Sequence, residues 1–364
     1  MAAEGGAAWC GGEGFRGLWG GFVDALAGSL HARGPPQAPP PPAPPPPPTR
    51  LPAAERVVAI GDLHGDLAKT RRALRLAGLI DGRDRWVGGA TVAVQVGDQL
   101  DRGGDELAIL HLLERLQGEA RKAGGAVHVL NGNHETMSVD GRFRYASGAG
   151  LREFQKWQMV QLLGARLKGG CGCGAGACSP GGLPAQERME QMRITPEGLP
   201  RAAALQPGGP VATRFFSGHP IVLQVGSTVF AHGGVLPAHV DYGLERINRE
   251  TSQWMQGRGG FYGPWFLQGR NAVVWSRHYS VEEEKCDCAT LEKALGMIAG
   301  AERMVLGHTV QDEGINGACR NRVFRIDVGL SKGVANGEPE VLEILRDAHV
   351  RRLREGGPPE VLVA

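Results

Sequence analysis

The first half of the chain alternates short apolar runs with longer segments in which apolar residues recur every three or four positions. The runs at 57–60, 91–96 and 127–130 are short and rich in β-branched residues, which predicts buried strands. The amphipathic segments at 67–80 and 105–122 lie between them and predict helices. Because strands that alternate with helices favour a mostly parallel sheet, this half is expected to build one.

The second half of the chain has a different pattern of apolar runs. Apolar runs at 221–225 and 228–231 flank Gly226 and Ser227, a two-residue signal for a β-hairpin. Three further strands are predicted, at 304–306, 323–326 and 341–345. A hairpin pairs its strands antiparallel, so the fold class that the whole pattern predicts is mixed α/β.

Three segments outside this pattern set the expected domain boundaries. Residues 35–48 are almost pure proline, which adopts extended polyproline II and separates a tail from the body. We therefore expect residues 1–50 to be a disordered tail and linker, 51–350 to form one domain, and 351–364 to be a C-terminal tail. A Gly- and Cys-rich stretch at about 168–210 interrupts the domain as an exposed insertion.

The N-terminal tail carries an apolar row with helical spacing between residues 15 and 30. Gly17, Gly20, Gly21 and Gly28 weaken such a helix, by up to about 1 kcal/mol each. Two interpretations stay open: the row docks on a partner or on a membrane surface, or the tail is only marginally ordered.

Composition and charge narrow the function classes. The formal net charge of +2 gives no electrostatic reason to expect a nucleic-acid partner. No run approaches the roughly 20 apolar residues of a transmembrane helix. The seven cysteines are odd in number and unevenly spaced, and no secretory signal is visible, which favours a reducing compartment over a disulfide scaffold. The expected location is the cytoplasm or an organelle, mitochondrion or chloroplast, and not the extracellular space.

Five polar segments directly follow predicted strands. Each combines glycine with Asp, Asn or His, and ligands of α/β sheets gather at the carboxyl ends of strands. The segments are GDLHG at 61–65, GDQLDRG at 97–103, GNHE at 132–135, HGG at 232–234 and GHT at 307–309.

The side chains of these segments suit metal ions. Carboxylate, imidazole and amide oxygen without thiolate favour Mn, Fe or Zn. Asp62 and His64 lie two residues apart, so in an extended segment their side chains point the same way and can hold one ion. Asp98 has two oxygens and can bridge two ions about 3.5–4 Å apart. The site of the second ion is then completed by Asn133, His232 and His308.

The order of the five segments resembles the calcineurin-like metallophosphoesterases, and DRG with GNHE resembles their phosphoprotein phosphatase branch. Within that branch the chain is similar, over about residues 55–346, to the Shewanella-like protein phosphatases. That similarity rests on GDQLDRGGDE, LNGNHETM, FRYAS, FAHGGVLPAHVDYGLERIN, VVWSRHYS, RMVLGHTVQDEGINGAC and RIDVGLSKG. It implies a β-sandwich of mixed sheets flanked by helices. It also implies a metal-dependent phosphatase that acts on phosphoproteins, with phosphoserine and phosphothreonine as the favoured substrates.

The resemblance also implies a role for each motif residue. The first metal would be held by Asp62, His64 and Asp98, and the second by Asp98, Asn133, His232 and His308. The substrate phosphate would be bound by Arg102, Arg277 and Asn133. His134, oriented by Asp101, would protonate the leaving alkoxide. A hydroxide that bridges both ions would attack phosphorus directly, without a covalent phosphoenzyme.

Two other functions stay open. A dinucleoside polyphosphate hydrolase shares the GDxHG and GNH segments, although DRG and Glu135 count against it. A catalytically inactive scaffold would keep the fold without the chemistry, but all six metal-ligand positions and both phosphate-binding arginines are present.

Three cysteines lie close in sequence to the predicted site. Cys286 and Cys288 form a C-x-C sequence shortly after Arg277, and Cys319 follows the GHT segment. They are either ordinary thiols in a polar loop, whose acidic neighbours slow oxidation, or they form a bridge beside the active site through a disulfide relay or another redox partner.

Overall fold

Two six-stranded sheets organise the computed structural model, which describes residues 49–170, 194–260 and 262–364. The strands are β1 Arg50–Leu51, β2 Arg56–Ile60, β3 Val92–Gln95, β4 Ala126–Val129, β5 Val222–Val225, β6 Thr228–Ala231, β7 Arg303–Leu306, β8 Asn316–Ala318, β9 Val323–Arg325, β10 Glu340–Leu345, β11 His349–Arg354 and β12 Glu360–Val363. The α-helices are α1 Leu67–Leu76, α2 Glu106–Lys122, α3 Asn133–Val139, α4 Gly148–Gly170, α5 Leu199–Leu205, α6 Pro210–Arg214, α7 Pro237–Tyr242, α8 Leu244–Met255 and α9 Cys288–Met297.

The first sheet has the strand order β12-β11-β10-β2-β3-β4. Strands β2, β3 and β4 are parallel, and their last residues are in register, since Ile60 pairs with Gln95 and Gln95 with Val129. The carboxyl ends of these strands therefore lie at one edge of the sheet. The remaining three strands, β10 to β12, extend the sheet antiparallel on the other side of β2.

The second sheet has the order β1-β5-β6-β7-β9-β8 and mixes both kinds of pairing. Strands β5 and β6 form the predicted antiparallel hairpin, with Gly226 at φ +55° in its turn. Strands β6 and β7 are parallel, and Ala231 pairs with Leu306. The carboxyl ends of β6 and β7 therefore also lie side by side.

The two sheets pack face to face around one apolar core. Phe230 and Phe324 of the second sheet belong to the same buried cluster as Val58 and Ile344 of the first. On the opposite face of the second sheet, residues such as Val229 pack in a second cluster with helices α8 and α9. The structure thus confirms the prediction of a mixed β-sandwich flanked by helices.

The first helix ends earlier than its apolar pattern predicts. Helix α1 stops at Leu76 rather than at residue 80, because Gly78 adopts a left-handed conformation with φ +65°. The Gly78 amide donates to the Arg75 carbonyl at 2.8 Å, and the Leu79 amide donates to the Leu74 carbonyl at 2.9 Å. This C-terminal cap turns the chain back towards the sheet.

Two segments assigned to a tail and to an insertion carry regular structure. Residues 351–364, predicted to be a tail, contribute to β11 and form β12 in the first sheet. In β11 three arginines interrupt the apolar pattern; Arg351, for example, pairs with Glu343 on the neighbouring strand. Strand β12 is a short edge strand with no buried residue. Within the predicted insertion at about 168–210, Leu199–Leu205 form α5, and Pro210–Arg214 form α6 at its end.

Several predictions fall on residues that the structure does not describe. Residues 1–48 and 171–193, which hold most of the predicted tail, linker and Gly- and Cys-rich stretch, lie outside the described residues, whereas Arg50 of the linker, expected to be disordered, belongs to strand β1 and pairs with Gln224. The docking row between residues 15 and 30 therefore stays a prediction. Among the helices of the described segments, none is both long enough and apolar enough to cross a membrane.

Candidate active site

The five predicted segments meet where the two sheets come together. Strands β2, β3 and β4 of the first sheet and β6 and β7 of the second each end directly before one of them. Parallel pairing in register places these strand ends next to one another within each sheet. The site is therefore assembled from both halves of the sandwich, at the carboxyl edges that the sequence indicates.

Asp98 occupies the centre of this edge. Its Oδ2 atom lies 3.2 Å from Nε2 of His232, 3.6 Å from Nε2 of His64 and 3.7 Å from Nε2 of His134. Two groups of potential metal-binding atoms share this carboxylate: His64 with Asp98 and His134, and Asp98 with His232 and His308. A carboxylate common to two such groups has the arrangement of a bridge between two ions.

The other predicted ligands lie beside these groups. Oδ2 of Asp62 is 4.0 Å from Nε2 of His64 and accepts a hydrogen bond from the His308 amide at 3.1 Å. The Oδ1 atom of Asn133 is 2.9 Å from Nε2 of His232. All six predicted metal ligands thus converge on one buried region.

The histidine tautomers follow from backbone contacts. Nδ1 of His64 lies 3.0 Å from the Leu100 carbonyl, and Nδ1 of His232 lies 3.0 Å from the Val96 carbonyl. A carbonyl can only accept, so each Nδ1 donates a proton, which leaves Nε2, the nitrogen that faces Asp98, as the atom able to bind a metal. Nε2 of His308 is buried without a protein hydrogen-bond partner. These three nitrogens fit metal coordination.

The electrostatics of the cluster also fit cations. Burial lowers the pKa of His64 to about 4 and the pKa of His308 well below its usual value, so both imidazoles are neutral at physiological pH, as metal ligands must be. Burial, together with the charges of Asp327 and Asp98, raises the pKa of Asp62. Neutral imidazoles beside crowded carboxylates form a donor set with excess negative charge, which two divalent or trivalent cations would neutralise.

His134 and Asp101 form a buried dyad at the rim of this cluster. Nδ1 of His134 lies 2.6 Å from Oδ2 of Asp101, and its Nε2 faces Asp98. The Asp101 side chain has no solvent exposure, and its backbone is left-handed at φ +68°. The contact fixes the orientation of the imidazole; the role of an acid and its partner, which the family resemblance implies for this pair, stays a prediction.

The two predicted phosphate-binding arginines lie on opposite loops of the site. The guanidinium of Arg102, the residue after Asp101, lies 4.2 Å from the centre of the Tyr145 ring, and that ring lies 5.0 Å from the His134 ring. Arg277 donates to Thr309 Oγ1 at 2.7 Å, next to His308. The Arg277 guanidinium therefore lies beside His308, and the Arg102 guanidinium stacks on the ring that neighbours His134.

Sequence reasoning gave no role to Glu135, which locks the loops of the site together. Its Oε2 atom accepts from the amides of Asp98 and Gly132 at 2.8 and 2.7 Å, and its Oε1 from those of Gln99 and Leu100 at 2.9 and 3.0 Å. The only sequence indication was its place in the GNHE segment.

Asp327 is a second carboxylate that the motif analysis missed as a site residue. It interacts directly with Asp62 and accepts from the Gly329 amide at 2.8 Å. It follows strand β9, so the same rule that located the other segments could have found it.

A disulfide lies close to the predicted site. Cys288 and Cys319 form a disulfide, and Sγ of Cys286 lies 3.2 Å from Sγ of Cys319. Of the two alternatives that the sequence left open, ordinary thiols or a bridge, this pair forms the bridge, because the tertiary structure brings together residues 31 positions apart. Cys286 and Arg277 line one open groove of about 740 Å³.

Comparison with known proteins places this site in a family. The calcineurin-like phosphoesterase profile matches residues 55–312. The chain is 52% identical over 311 residues to Shewanella-like protein phosphatase 2 of Arabidopsis thaliana, covering 83% of this chain and 78% of the relative. It is 27% identical over 296 residues to Shewanella-like protein phosphatase 1 of Plasmodium berghei, covering 78% and 69%.

Solved structures support the fold. A cold-active protein tyrosine phosphatase of a Shewanella species superposes with a TM-score of 0.59 at 21% identity, over 86% of this chain and 82% of that one. A serine/threonine phosphatase of Saccharomyces cerevisiae superposes with a TM-score of 0.51 at 12% identity, over 96% and 93%. At these identities the likeness concerns the fold alone.

The close packing at Gly132 yields a first prediction. A Cβ atom at this position would lie 2.1 Å from Oδ1 and 2.6 Å from the amide nitrogen of Asp98. We expect Gly132→Ala to displace Asp98, and because misplacing an active-site group by about 1 Å can cost a hundredfold, to lower kcat on p-nitrophenyl phosphate at least about tenfold. Bound metal, measured by elemental analysis, should fall as well.

Gly118 provides the matched control. It lies within helix α2, and nothing would lie within 4 Å of an added Cβ. Gly118→Ala should leave kcat and metal content unchanged and should stabilise the fold by roughly 0.5–1 kcal/mol, seen as a small rise in Tm. Full activity of Gly132→Ala would contradict the placement of Asp98.

Proposed function

We propose that this chain, which belongs to the calcineurin-like phosphoesterases and within them to the Shewanella-like protein phosphatases, hydrolyses phosphomonoesters on proteins with two metal ions. The observation that carries the proposal is the position of Asp98, which belongs to both groups of metal-binding atoms. Nucleic acid is not proposed as a substrate, since the net charge of +2 supplies no electrostatic attraction.

The proposed metal ligands divide around Asp98. The first ion would be held by Asp62, His64 and Asp98, and the second by Asp98, Asn133, His232 and His308. Their carboxylate, imidazole and amide donors suit Mn, Fe or Zn. When bound, the ions would lower the pKa of a water molecule towards neutrality and offset the charge of the substrate phosphate.

The remaining site residues would bind and protonate the substrate. Arg102 and Arg277 present guanidinium groups from two loops, and their paired N–H donors match the oxygens of a phosphate. Asn133 can contribute its side-chain amide to the same phosphate. His134 holds a proton on Nδ1 against Asp101 and presents Nε2 to the site, where a protonated imidazole can protonate a leaving oxygen.

The proposed role of His134 as the general acid favours phosphoserine and phosphothreonine proteins as substrates. The alkoxides of serine and threonine are poorer leaving groups than the phenolate of tyrosine, and they gain most from a positioned proton donor. The 52% identical relative is a protein phosphatase by name, which supports a phosphoprotein substrate.

Asp98→Asn tests the proposed function. It removes one negative charge between both proposed ions while keeping the shape of the side chain. We expect kcat on a phosphoserine peptide to fall at least about a hundredfold together with bound metal, because ligand charge sets metal affinity. Kinetics on phosphoserine, phosphothreonine and phosphotyrosine peptides and on diadenosine tetraphosphate, beside elemental analysis, provide the measurement.

The matched control is Asp105→Asn, the same change at an exposed residue whose side chain makes no capping hydrogen bond to α2. It should behave like the unmodified protein. Near-normal turnover of Asp98→Asn with full metal content would exclude the assignment. Preference for diadenosine tetraphosphate would instead favour a dinucleoside polyphosphate hydrolase.

His134→Ala tests the proposed acid. Loss of the imidazole should reduce kcat on a phosphoserine peptide by roughly a hundredfold or more, the usual contribution of a general acid. Turnover of p-nitrophenyl phosphate should fall much less, because p-nitrophenolate leaves without protonation. Equal losses on the two substrates would show that His134 does not act as the acid.

We further propose that the cysteine bridge makes activity sensitive to redox state. Two thiols, Cys288 and Cys319, would each lose a proton and together pass two electrons to a partner disulfide, which becomes a dithiol. The bridge ties the start of α9 to the segment after β8, and Cys286 shares the groove of Arg277. Opening the bridge would loosen the loop that positions Arg277. Formation of the bridge requires an oxidising partner in the cytoplasm or in an organelle.

Activity in dithiothreitol and after mild oxidation should therefore differ by several-fold for the unmodified protein on a phosphoserine peptide, since small displacements of a phosphate-binding group are costly. Cys319→Ser should abolish the difference, whereas Cys286→Ser should retain both the bridge and the difference. Peptide mapping that finds the bridge formed and broken while activity stays constant would reject this regulation.

A further inference from the structure

Behind the His134–Asp101 dyad lies an arginine with no solvent exposure at all. Arg201 is on helix α5, and its Nη2 atom donates to Oδ1 of Asp101 at 2.8 Å. The same nitrogen lies 3.2 Å from the hydroxyl of Ser138, and Nη1 donates to the carboxylate of Glu106. None of the motifs contains this arginine.

The carboxylate of Asp101 is thereby held from both sides. One oxygen contacts Nδ1 of His134 and the other contacts Arg201. Because the guanidinium is planar and rigid, it fixes the rotation of the carboxylate, and the carboxylate fixes the imidazole plane. Phe143 and Phe154 flank the guanidinium at 5.6 and 5.0 Å from its central carbon, so it has little room to move.

The charges of this cluster require a cation. Asp101 and Glu106 are both fully buried, and Arg201 is the positive side chain that pairs with both. A buried carboxylate without a partner is costly and tends to take up a proton. A protonated or rotated Asp101 could no longer accept from Nδ1 of His134.

We propose that Arg201 is a positioning residue for proton delivery: through Asp101 it holds His134 in the tautomer and orientation that protonate the leaving oxygen. The inference rests on the proposed role of His134. The side-chain hydrogen bonds of Arg201 go to Asp101, Ser138 and Glu106, none of which is a proposed metal ligand, and Asp101 is its direct link to the imidazole of His134. The alternative is that it merely stabilises the fold by joining α5 to α2.

Leaving-group dependence separates these two roles. A residue that acts through His134 matters for a phosphoserine peptide and little for p-nitrophenyl phosphate. A residue that only stabilises the fold affects both substrates equally. We expect Arg201→Lys and Arg201→Met to lower kcat on the phosphoserine peptide at least about tenfold more than on p-nitrophenyl phosphate.

A double-mutant cycle completes the test. In the His134→Ala background, Arg201→Met should produce no additional selective loss, because the acid through which it acts is absent. If Arg201→Met does not fold, Glu106→Gln combined with Arg201→Met removes a buried cation and a buried anion together and should show the same selective loss. Arg214→Met is the matched control. Arg214 lies on the neighbouring helix α6 and pairs with Glu114 of α2, and its replacement should not change the ratio of activities on the two substrates.

The outcomes distinguish the two proposals. If His134→Ala shows no leaving-group dependence, the acid assignment itself fails. If His134→Ala shows it but folded Arg201 variants lose activity equally on both substrates, or additively with His134→Ala, then Arg201 is structural and this inference is overturned.

Discussion

Buried carboxylates repel one another, and this repulsion is the constraint on which the site depends. Asp62, Asp98 and Asp327 are each about 2% exposed, and burial and mutual charge raise the pKa of Asp62. Backbone amides compensate: those of His308, His134 and Gly329 donate to the three carboxylates in turn. The fold thus holds negative charge together that would separate in water, and such a cluster attracts cations.

Aiming so many backbone amides into one place strains the chain. His64, Asp98, Asp101 and His308 all have positive φ, the left-handed region that non-glycine residues seldom occupy. Glu135 counters this tendency by accepting four amide hydrogen bonds from the loops after β3 and β4. Strain concentrated at the site is tolerated because the two packed sheets around it fix the strand ends.

The chain is a protein phosphatase, and its solved structural neighbours include both a tyrosine and a serine/threonine phosphatase. A shared fold with different substrates means that the sandwich by itself does not set specificity, and that the side chains around the site are the features that can differ. In this chain the rim includes Tyr145, held between Arg102 and Arg144, and the groove beside Arg277. The dyad with its buried arginine lies beneath one side of that rim.

The sequence by itself predicted eight of the twelve strands found among the described residues, the edge at which the five polar segments meet, and the six residues that we propose as metal ligands. It could do so because these features are local: a buried parallel strand is a short apolar run, and the glycine-flanked Asp62 or His308 directly follows one. The mixed sandwich also followed, from the hairpin at Gly226 and from family resemblance. The same local rule failed for β11, where Arg351, Arg352 and Arg354 interrupt the apolar pattern, and for β12, a short edge strand with no buried residue.

Only the tertiary structure decided which distant residues meet. Arg201 reaches Asp101 across 100 positions, Asp327 reaches Asp62, and Cys288 reaches Cys319. No spacing rule predicts such contacts, because they arise when separate elements pack around a common core. Which buried charges pair depends on how the elements pack in three dimensions, and the order of residues along the chain does not show it.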